Sequence, residues 1–562
     1  MKYKKYIVLG LAIFVLVACS FAFIKRFNTH AQSSVTKTFT TKVTVGNSAP
    51  TFTIAPAESP VSSTTAPTTP GTAITFSATA TDANNENYYL IICSTNAVTA
   101  GANGAAPTCT GTQYCVSSST GSGSVASCSY TTKAADPYTN NWYAFVCDTN
   151  TSSSCSTPGN QGSGNSGSPF IVNHAPTFTA ISNNSPRDPG QSVTWTSTAS
   201  DATDGNTVKL LVCKTQAMSN GTCTGGSWCE SSLVASNPTC SYTIPNPAAD
   251  GANNAYVYVV DQFNTPATGT AQNTASNFTI NNIAPVVSTV KLNNEATPIN
   301  LEAGTTKSVS ITATVVDDNG CAGGEIASVL AYAYRSGITY TGCDTSGETN
   351  ANYCYPEIVC NAGACTGGKS VAYTCSVPLQ YYADPTDANN VATSFSTQHW
   401  LATVKATDNN SATHNATSTA TVEVASLAAF EITPSIDYGT VAAGGSTGTL
   451  NQTVVTTPTG NVPMNQLYSG TQMCTDSPTC SASGKTPLAV TLQEYALTSG
   501  TSYGSGTDLT ATPTAVNINV PKVTDGANVT TKTSWWGISI PIGTLPGVYN
   551  GVNTITSSIQ TT

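Results

Sequence analysis

Ile74-Thr75-Phe76-Ser77-Ala78-Thr79-Ala80-Thr81 alternates apolar and polar residues without a break and runs into the turn Asp82-Ala83-Asn84. Successive side chains of a strand point to opposite faces, so this pattern describes a strand with one face in a core and one in solvent. The device recurs twice. Val193 and Trp195 alternate with Thr194 and Thr196 ahead of Asp201-Ala202-Thr203-Asp204-Gly205. Val309, Ile311, Ala313 and Val315 alternate ahead of Asp317-Asp318-Asn319-Gly320.

Three similar openings lie upstream: Asn47-Ser48-Ala49-Pro50-Thr51-Phe52, Asn173-His174-Ala175-Pro176-Thr177-Phe178 and Asn282-Ile283-Ala284-Pro285. Proline fixes its own φ and restricts the residue before it, so each Asn-x-Ala-Pro is a short stiff hinge. Phe170-Ile171-Val172 and Phe278-Thr279-Ile280 precede the last two hinges and read as closing strands. Downstream, Asp136…Asn140-Asn141, Asp250…Asn253-Asn254 and Asp384…Asn389-Asn390 lead into aromatic strands at 142–147, 256–260 and 400–406, which reach Asp148, Asp261 and Asp408. An order of features kept three times defines an internal repeat.

From about Leu427 the pattern changes. Phe430-Glu431-Ile432 and Tyr438-Gly439-Thr440-Val441 open a different unit, which closes through Trp535-Trp536-Gly537 and Gly547-Val548-Tyr549-Asn550-Gly551. The expected divisions are 1–31 (signal or anchor), 32–48 (spacer), repeats at 49–172, 173–281 and 282–426, and a C-terminal β-sandwich at 427–562. Within the spacer, 39–45 (Phe-Thr-Thr-Lys-Val-Thr-Val) reads as a closing strand with no domain before it.

Composition agrees with an all-β chain. Of 562 residues only 9% are charged, against about 25% in typical soluble proteins. Thr, Ser, Asn and Gly take their place, and these suit pleated surfaces and tight turns. Lys and Arg number 19 against 29 Asp and Glu. Five of the bases (Lys2, Lys4, Lys5, Lys25 and Arg26) sit in the N-terminal segment, so the remainder is more acidic than the net −10 of the whole. With no basic stripe to neutralise phosphates, a nucleic-acid partner is excluded.

Lys2, Lys4 and Lys5 precede an apolar run from Tyr6 to Ile24, the layout of an export signal. Three outcomes stand. The run is long enough to remain as an uncleaved anchor. Leu16-Val17-Ala18-Cys19 resembles a lipobox, with Cys19 the lipidated residue. Cleavage near Thr29-His30-Ala31 would release the chain. All three place the rest outside the cytoplasm. No Leu-Pro-x-Thr-Gly motif or apolar tail follows Gly551, so attachment is expected through the N-terminus.

The cysteines point to the same compartment. Beside Cys19 they fall in sets of even number: Cys93, Cys109, Cys115, Cys128, Cys147 and Cys155; Cys213, Cys223, Cys229 and Cys240; Cys321, Cys343, Cys354, Cys360, Cys365 and Cys375; Cys474 and Cys480. Pairs must obey parity and free thiols need not, so disulfides in an oxidising setting follow. Sequence alone leaves the connectivity open. The expectation is nearest-neighbour pairing, with Cys115–Cys128 and Cys229–Cys240 each joining two strands of a hairpin. Zinc is the alternative. It is disfavoured because the C-x5-C spacings at Cys109–Cys115 and Cys223–Cys229 are wider than a zinc hook and only 4 histidines exist.

The units resemble bacterial immunoglobulin-like and cadherin-like repeats, on the Asn-x-Ala-Pro-x-Phe hinge and the strand running from an aromatic residue to an Asp turn. The resemblance covers roughly residues 47–425 and implies tandem immunoglobulin-like β-sandwiches. Cadherin repeats join at a similar linker that helps bind calcium; here the linkers lack the family's extra acids.

No histidine among His30, His174, His399 and His414 falls in a metal or triad spacing. No catalytic residue is assigned and the chain is not expected to be an enzyme. The acids cluster in turns, where Asp commonly caps nearby backbone N–H groups. Calcium is the other use of hard oxygens at such spacings, with Asp82, Asn84, Glu86, Asp201, Asp204, Asp317 and Asp318 as candidate ligands. Trp228, Tyr114 and Trp535-Trp536 could stack on sugars or pack beside cystines. The expected role is a surface adhesin or stalk, membrane-attached by its N-terminus. Its hinged repeats form a rod that presents the C-terminal sandwich to a glycan or protein ligand. A self-associating subunit of a surface layer or fibre is the alternative, because an orphan strand can pair with another chain's open edge. A secreted hydrolase with accessory domains comes third.

Overall fold

A computed structural model describes residues 36–156, 168–344, 350–387 and 395–560. The export segment with Cys19, and the pair Asn389-Asn390, lie outside the described residues. The chain divides into two compact units, Met1–Val172 and Asn173–Thr562. Among the described residues no helix is long and apolar enough to cross a membrane.

In the first unit the alternating strand Ala73–Thr81 lies between Thr51–Ser59 and Val125–Thr131. The second sheet places Tyr88–Cys93 between Gln113–Val116 and the aromatic strand Tyr143–Asp148. Ile74, Phe76 and Ala78 face Leu90, Ile92 and Trp142 in a shared core, while Thr75 and Ser129 meet on the outer face at 2.8 Å. Period two in the sequence has become one wet face and one dry face. The closing strand Phe170–Ile171 pairs with Thr139–Asn140.

The second unit repeats this plan. Ser192–Ser200 lies between Thr177–Asn183 and Thr239–Thr243, opposite a sheet ordered Ser227–Glu230, Val208–Cys213, Tyr256–Asp261, Thr274–Ala275. In the third repeat Thr306–Val316 pairs with Val286–Leu292 and Ser370–Gln380, opposite Ile326–Arg335 and Trp400–Asp408. The C-terminal sandwich is built differently. A five-stranded sheet holds Gln452–Pro458 and Lys532–Ile538, and it faces a sheet with Met464–Gly470 between Thr514–Val520 and Asn553–Ile559. Each sandwich buries one tryptophan almost completely: Trp142, Trp195, Trp400 and Trp536. Removing about 200 Å² of ring surface from water makes each a main contributor to its core.

Eighteen cysteines pair inside their own sandwiches. The first two repeats follow nearest neighbours: Cys93–Cys109, Cys115–Cys128, Cys147–Cys155, Cys213–Cys223 and Cys229–Cys240. The third departs from that expectation, with Cys321–Cys365, Cys343–Cys354 and Cys360–Cys375. There Cys321 follows the strand that pairs with Ser370–Gln380, and Cys365 lies on the strand across from that same partner, so the pair joins the sheet's turn end. A second correction concerns the supposed hairpin staples. Cys115 and Cys128 lie on strands of opposite sheets, as do Cys229 and Cys240, so both bonds cross the core from sheet to sheet.

The bonds Cys93–Cys109 and Cys213–Cys223 have a different task. They hold excursions over the outer face of the second sheet, where Val98 covers Ile91 and Phe145, and Met218 covers Leu211 and Tyr258. Those sheets are dry on both faces, which explains the unbroken apolar runs Leu90-Ile91-Ile92 and Leu210-Leu211-Val212.

Candidate metal centre

Each hinge is fastened to its repeat in the same way. The hinge amide donates from Nδ2 to the Asp that ends the aromatic strand: Asn47 to Asp148 Oδ2 at 2.8 Å, Asn173 to Asp261 at 2.6 Å and Asn282 to Asp408 at 2.9 Å. The next backbone N–H donates to a turn side chain: Ser48 to Asn84 Oδ1 at 2.9 Å, His174 to Asp204, and Ile283 to Asn319 Oδ1 at 2.6 Å. The Asp turn after the alternating strand thus stands against the Asp turn after the aromatic strand, with the hinge between them.

Two acids of each pair are deeply buried: Asp82 and Asp148, Asp201 and Asp261, Asp317 and Asp408. Asp148, Asp261 and Asp408 cap their own turns, each taking two backbone N–H groups, at 2.8–3.1 Å for Asp261 Oδ1 from Phe263 and Thr265 and Asp148 Oδ1 from Asn150 and Ser154. Asp82, Asp201 and Asp317 each use Oδ1 for their turn and leave Oδ2 buried without a partner.

A third carboxylate joins in two of the three repeats. Glu86 Oε1 accepts from Asn150 Nδ2 at 2.5 Å, and Glu325 Oε2 accepts from Asn409 Nδ2 at 3.0 Å. The other oxygen of each glutamate is buried and unpartnered, as are Asn47 Oδ1 and Asn282 Oδ1. Asp82, Glu86 and Asp148 each bring an oxygen within 4.8 Å of the others, the one such metal-compatible set among the described residues.

Charge repulsion is visible in the third repeat. Burial first, then the neighbouring Asp408, Asp318 and Asp250, hold the Asp317 carboxyl above its ordinary range. Burial also raises Glu325, reinforced by Asp317, Asp250 and Asp408. Buried acids with unused oxygens and mutual repulsion carry a desolvation cost that an oxygen-seeking cation would offset. Carboxylate and amide oxygens, without sulfur or nitrogen donors, are the set that calcium or magnesium takes. The first repeat brings its acids close enough for such an ion; the third carries the same kinds of group, but Asp317, Glu325 and Asp408 do not all come within 4.8 Å of one another.

The sequence-based candidates are divided by the structure. Asp82 and Glu86 meet at the first hinge, with Asp148 and Asn47, which sequence reading left out. Asp317 meets Glu325, Asp408 and Asn282, again missed. Asn84 and Asp204 clasp hinge backbone. Asp318 instead pairs with Lys369 at 2.9 Å, which lowers its carboxyl below the usual range. Asp201 faces Asp261, and the third acid of that hinge, Asp204, is turned to His174. A hint of the missed residues was present, since each aromatic strand ends in Asp three times over, but the pairing of turns from different strands is a property of the folded sandwich.

Three of the four candidate sugar-stacking aromatics pack inward, whereas Trp535, next to Trp536 on its strand, is half-buried and outside the core cluster. Trp536 lies in the core against Tyr468 and Tyr495. Trp228 packs edge-on against Tyr242 and Phe278 and donates to Asn254 O at 2.9 Å. Tyr114 packs against Tyr130 and Phe170.

No protein-family model matches the chain, and no curated protein does. Solved structures similar to it include a marsupial T cell receptor (7% identity, 65% of this chain and 99% of that one, TM-score 0.27). A tetra-tandem repeat in the extending region of a large adhesion protein is another (10%, 88% and 97%, TM-score 0.28). A third is a structure described as giving insight into host cell surface retention of a 1.5-MDa bacterial ice-binding adhesin (18%, 67% and 100%, TM-score 0.21). The fold is defined by the strand pairing itself: disulfide-stapled, all-β tandem sandwiches.

Proposed function

We propose that the chain is an exported cell-surface stalk or adhesin, attached at its N-terminus, whose repeats carry the C-terminal sandwich and whose first and third hinges take calcium. The observation that supports this reading is the hinge clasp, built three times on sandwiches closed by their own disulfides. Local staples and a cation abundant outside cells suit a chain that works there. Asn47, Asp82, Glu86 and Asp148 would hold one ion, and Asn282, Asp317, Glu325 and Asp408 another. The ion would neutralise the clustered charge and fix each hinge against its sandwich.

A second reading, a self-associating fibre subunit, has its own support. The expected strand at 39–45 is not formed, and Phe39, Val43 and Val45 are 85%, 85% and 77% exposed on a segment that pairs with nothing described. The corresponding strands before the other hinges, Phe170–Ile171 and Phe278–Ile280, are paired. One experiment separates the two: antibody labelling of intact cells, with sizing of the purified chain over rising concentration. Surface label and a monomer are expected for the stalk. Polymers abolished by Val43→Asp would replace it with the fibre, and label only after permeabilisation would end both.

A further inference from the structure

The three hinges are not equivalent, and we infer that the second is built to work without a cation, the amide of Asn206 standing where the others present a carboxylate. This rests on the cation reading of the first and third hinges. The alignment is structural. Asn85 and Gly205 both take positive φ, 61° and 73°, at the close of the Asp turn, so the residue that follows, Glu86 or Asn206, is swung inward. In the third repeat a longer loop after Gly320 delivers Glu325 instead.

At the second hinge Asn206 Nδ2 donates to Asn173 Oδ1 at 2.7 Å, and Gln262 Nε2 donates to Asn206 Oδ1 at 3.1 Å. The hinge carbonyl that is orphaned at Asn47 and Asn282 is therefore satisfied at Asn173. The amide orientations are not free choices. Asn173 Nδ2 donates to Asp261 Oδ2 at 2.6 Å and to Thr265 Oγ1 at 2.8 Å, so its oxygen must face Asn206. Asn206 must then present its NH2, and its own oxygen turns to Gln262.

The relay puts N–H donors where an ion would sit. At this position a carboxylate gives way to an amide, and the hinge's third acid, Asp204, stands instead where the others have Asn84 and Asn319. Asp204 is engaged by the His174 ring at 2.8 Å and by the His174 backbone N–H, which leaves Asp201 and Asp261 facing the hinge. Asp201 keeps one oxygen unpartnered. Two carboxylates facing an inward N–H are a poor cation site, because the ion would have to displace a satisfied hydrogen bond.

Calcium titrated alone into the purified full-length chain, followed calorimetrically with parallel melting curves, tests the inference. About two equivalents are expected for the parent chain. Glu86→Gln and Glu325→Gln should each remove one, and Asp201→Asn none. Asn206→Asp, which restores a carboxylate and frees Asn173 Oδ1, should add one and bring a new calcium-dependent rise in melting temperature. A third parental equivalent abolished by Asp201→Asn would overturn the inference while leaving the other two sites intact. Zero parental equivalents would sink the sites at Glu86 and Glu325. The claim for the second hinge would then be decided by Asn206→Asp alone, a gained equivalent supporting it and none overturning it.

Discussion

The buried acids of the third repeat show what a single side chain contributes at a hinge. Burial raises the carboxyls of Asp317 and Glu325, reinforced at Asp317 by Asp408, Asp318 and Asp250 and at Glu325 by Asp317, Asp250 and Asp408. An acid whose folded pKa lies above its unfolded value favours the fold while protonated, and that contribution is lost as pH rises through the folded pKa. For the metal-free chain, stability should therefore fall as pH climbs above the ordinary values of 3.8 and 4.5 for these groups. Calcium should flatten the slope. Glu325→Gln keeps the shape, removes a charge and supplies an amide to face Asn282 Oδ1, as Asn206 does for Asn173. Melting in chelator is expected to rise for this variant and its calcium-dependent gain to vanish. An unchanged calcium gain would show that Glu325 takes no part.

At the level of elements, the cystines divide the work between cores and covers. Cys229–Cys240 ties the sheet of Val208–Cys213 to that of Ser192–Ser200 across the core, at a sequence separation of 11. Closing a loop of that size contributes about 2–4 kcal/mol. The double variant Cys229→Ala/Cys240→Ala should destabilise its sandwich by that amount, read in a calorimeter as a lower melting temperature. Cys213→Ala/Cys223→Ala is expected to cost less in the core yet expose Leu211 and Tyr258, read as increased binding of an apolar dye. Equal dye binding by both pairs would refute the division. Strand positions were legible in advance, because alternation reports a half-buried sheet from local sequence. The doubly dry second sheet was not, since a run such as Leu210-Leu211-Val212 says nothing of what lies over its outer face until the Cys213–Cys223 flap is in place.

Across the second unit, the sandwiches are joined by polar side chains reaching from one to the next. Asn319 Nδ2 donates to Ala248 O and Asn281 O at 3.1 and 3.0 Å, and Asn410 to Asp250 Oδ2 at 2.7 Å. Asn461, fully buried, donates to Ala383 O and Ala425 O, both at 3.0 Å. Lys522 of the C-terminal sandwich reaches Asp384, which also accepts from Arg335 Nε at 3.0 Å. Burial pulls the Lys522 ammonium below its ordinary pKa, and Asp384 opposes that pull. Removing one member of a buried ion pair costs about 3–5 kcal/mol, because the partner charge is left uncompensated. With Lys522→Met, Arg335 still faces Asp384, so the loss should fall at the low end. The C-terminal sandwich is expected to melt as a separate, earlier transition; a single unchanged transition would show that the joint does not couple them.

What the sequence determined alone was everything with a local cause. Period-two patterning, Asn-x-Ala-Pro hinges, Asp-rich turns and even cysteine counts specify strands, joints and an oxidised all-β chain, because each depends on residues a few places apart. Only the tertiary structure decided which acids share a hinge. Glu86 lies four places after Asp82 and Glu325 eight after Asp317, and both meet an Asp more than sixty residues away, since the sandwich sets two turns side by side whatever the loop between them. The same holds for the third repeat's crossed cystines and for Asn206, whose amide matters only because Asn173 faces it.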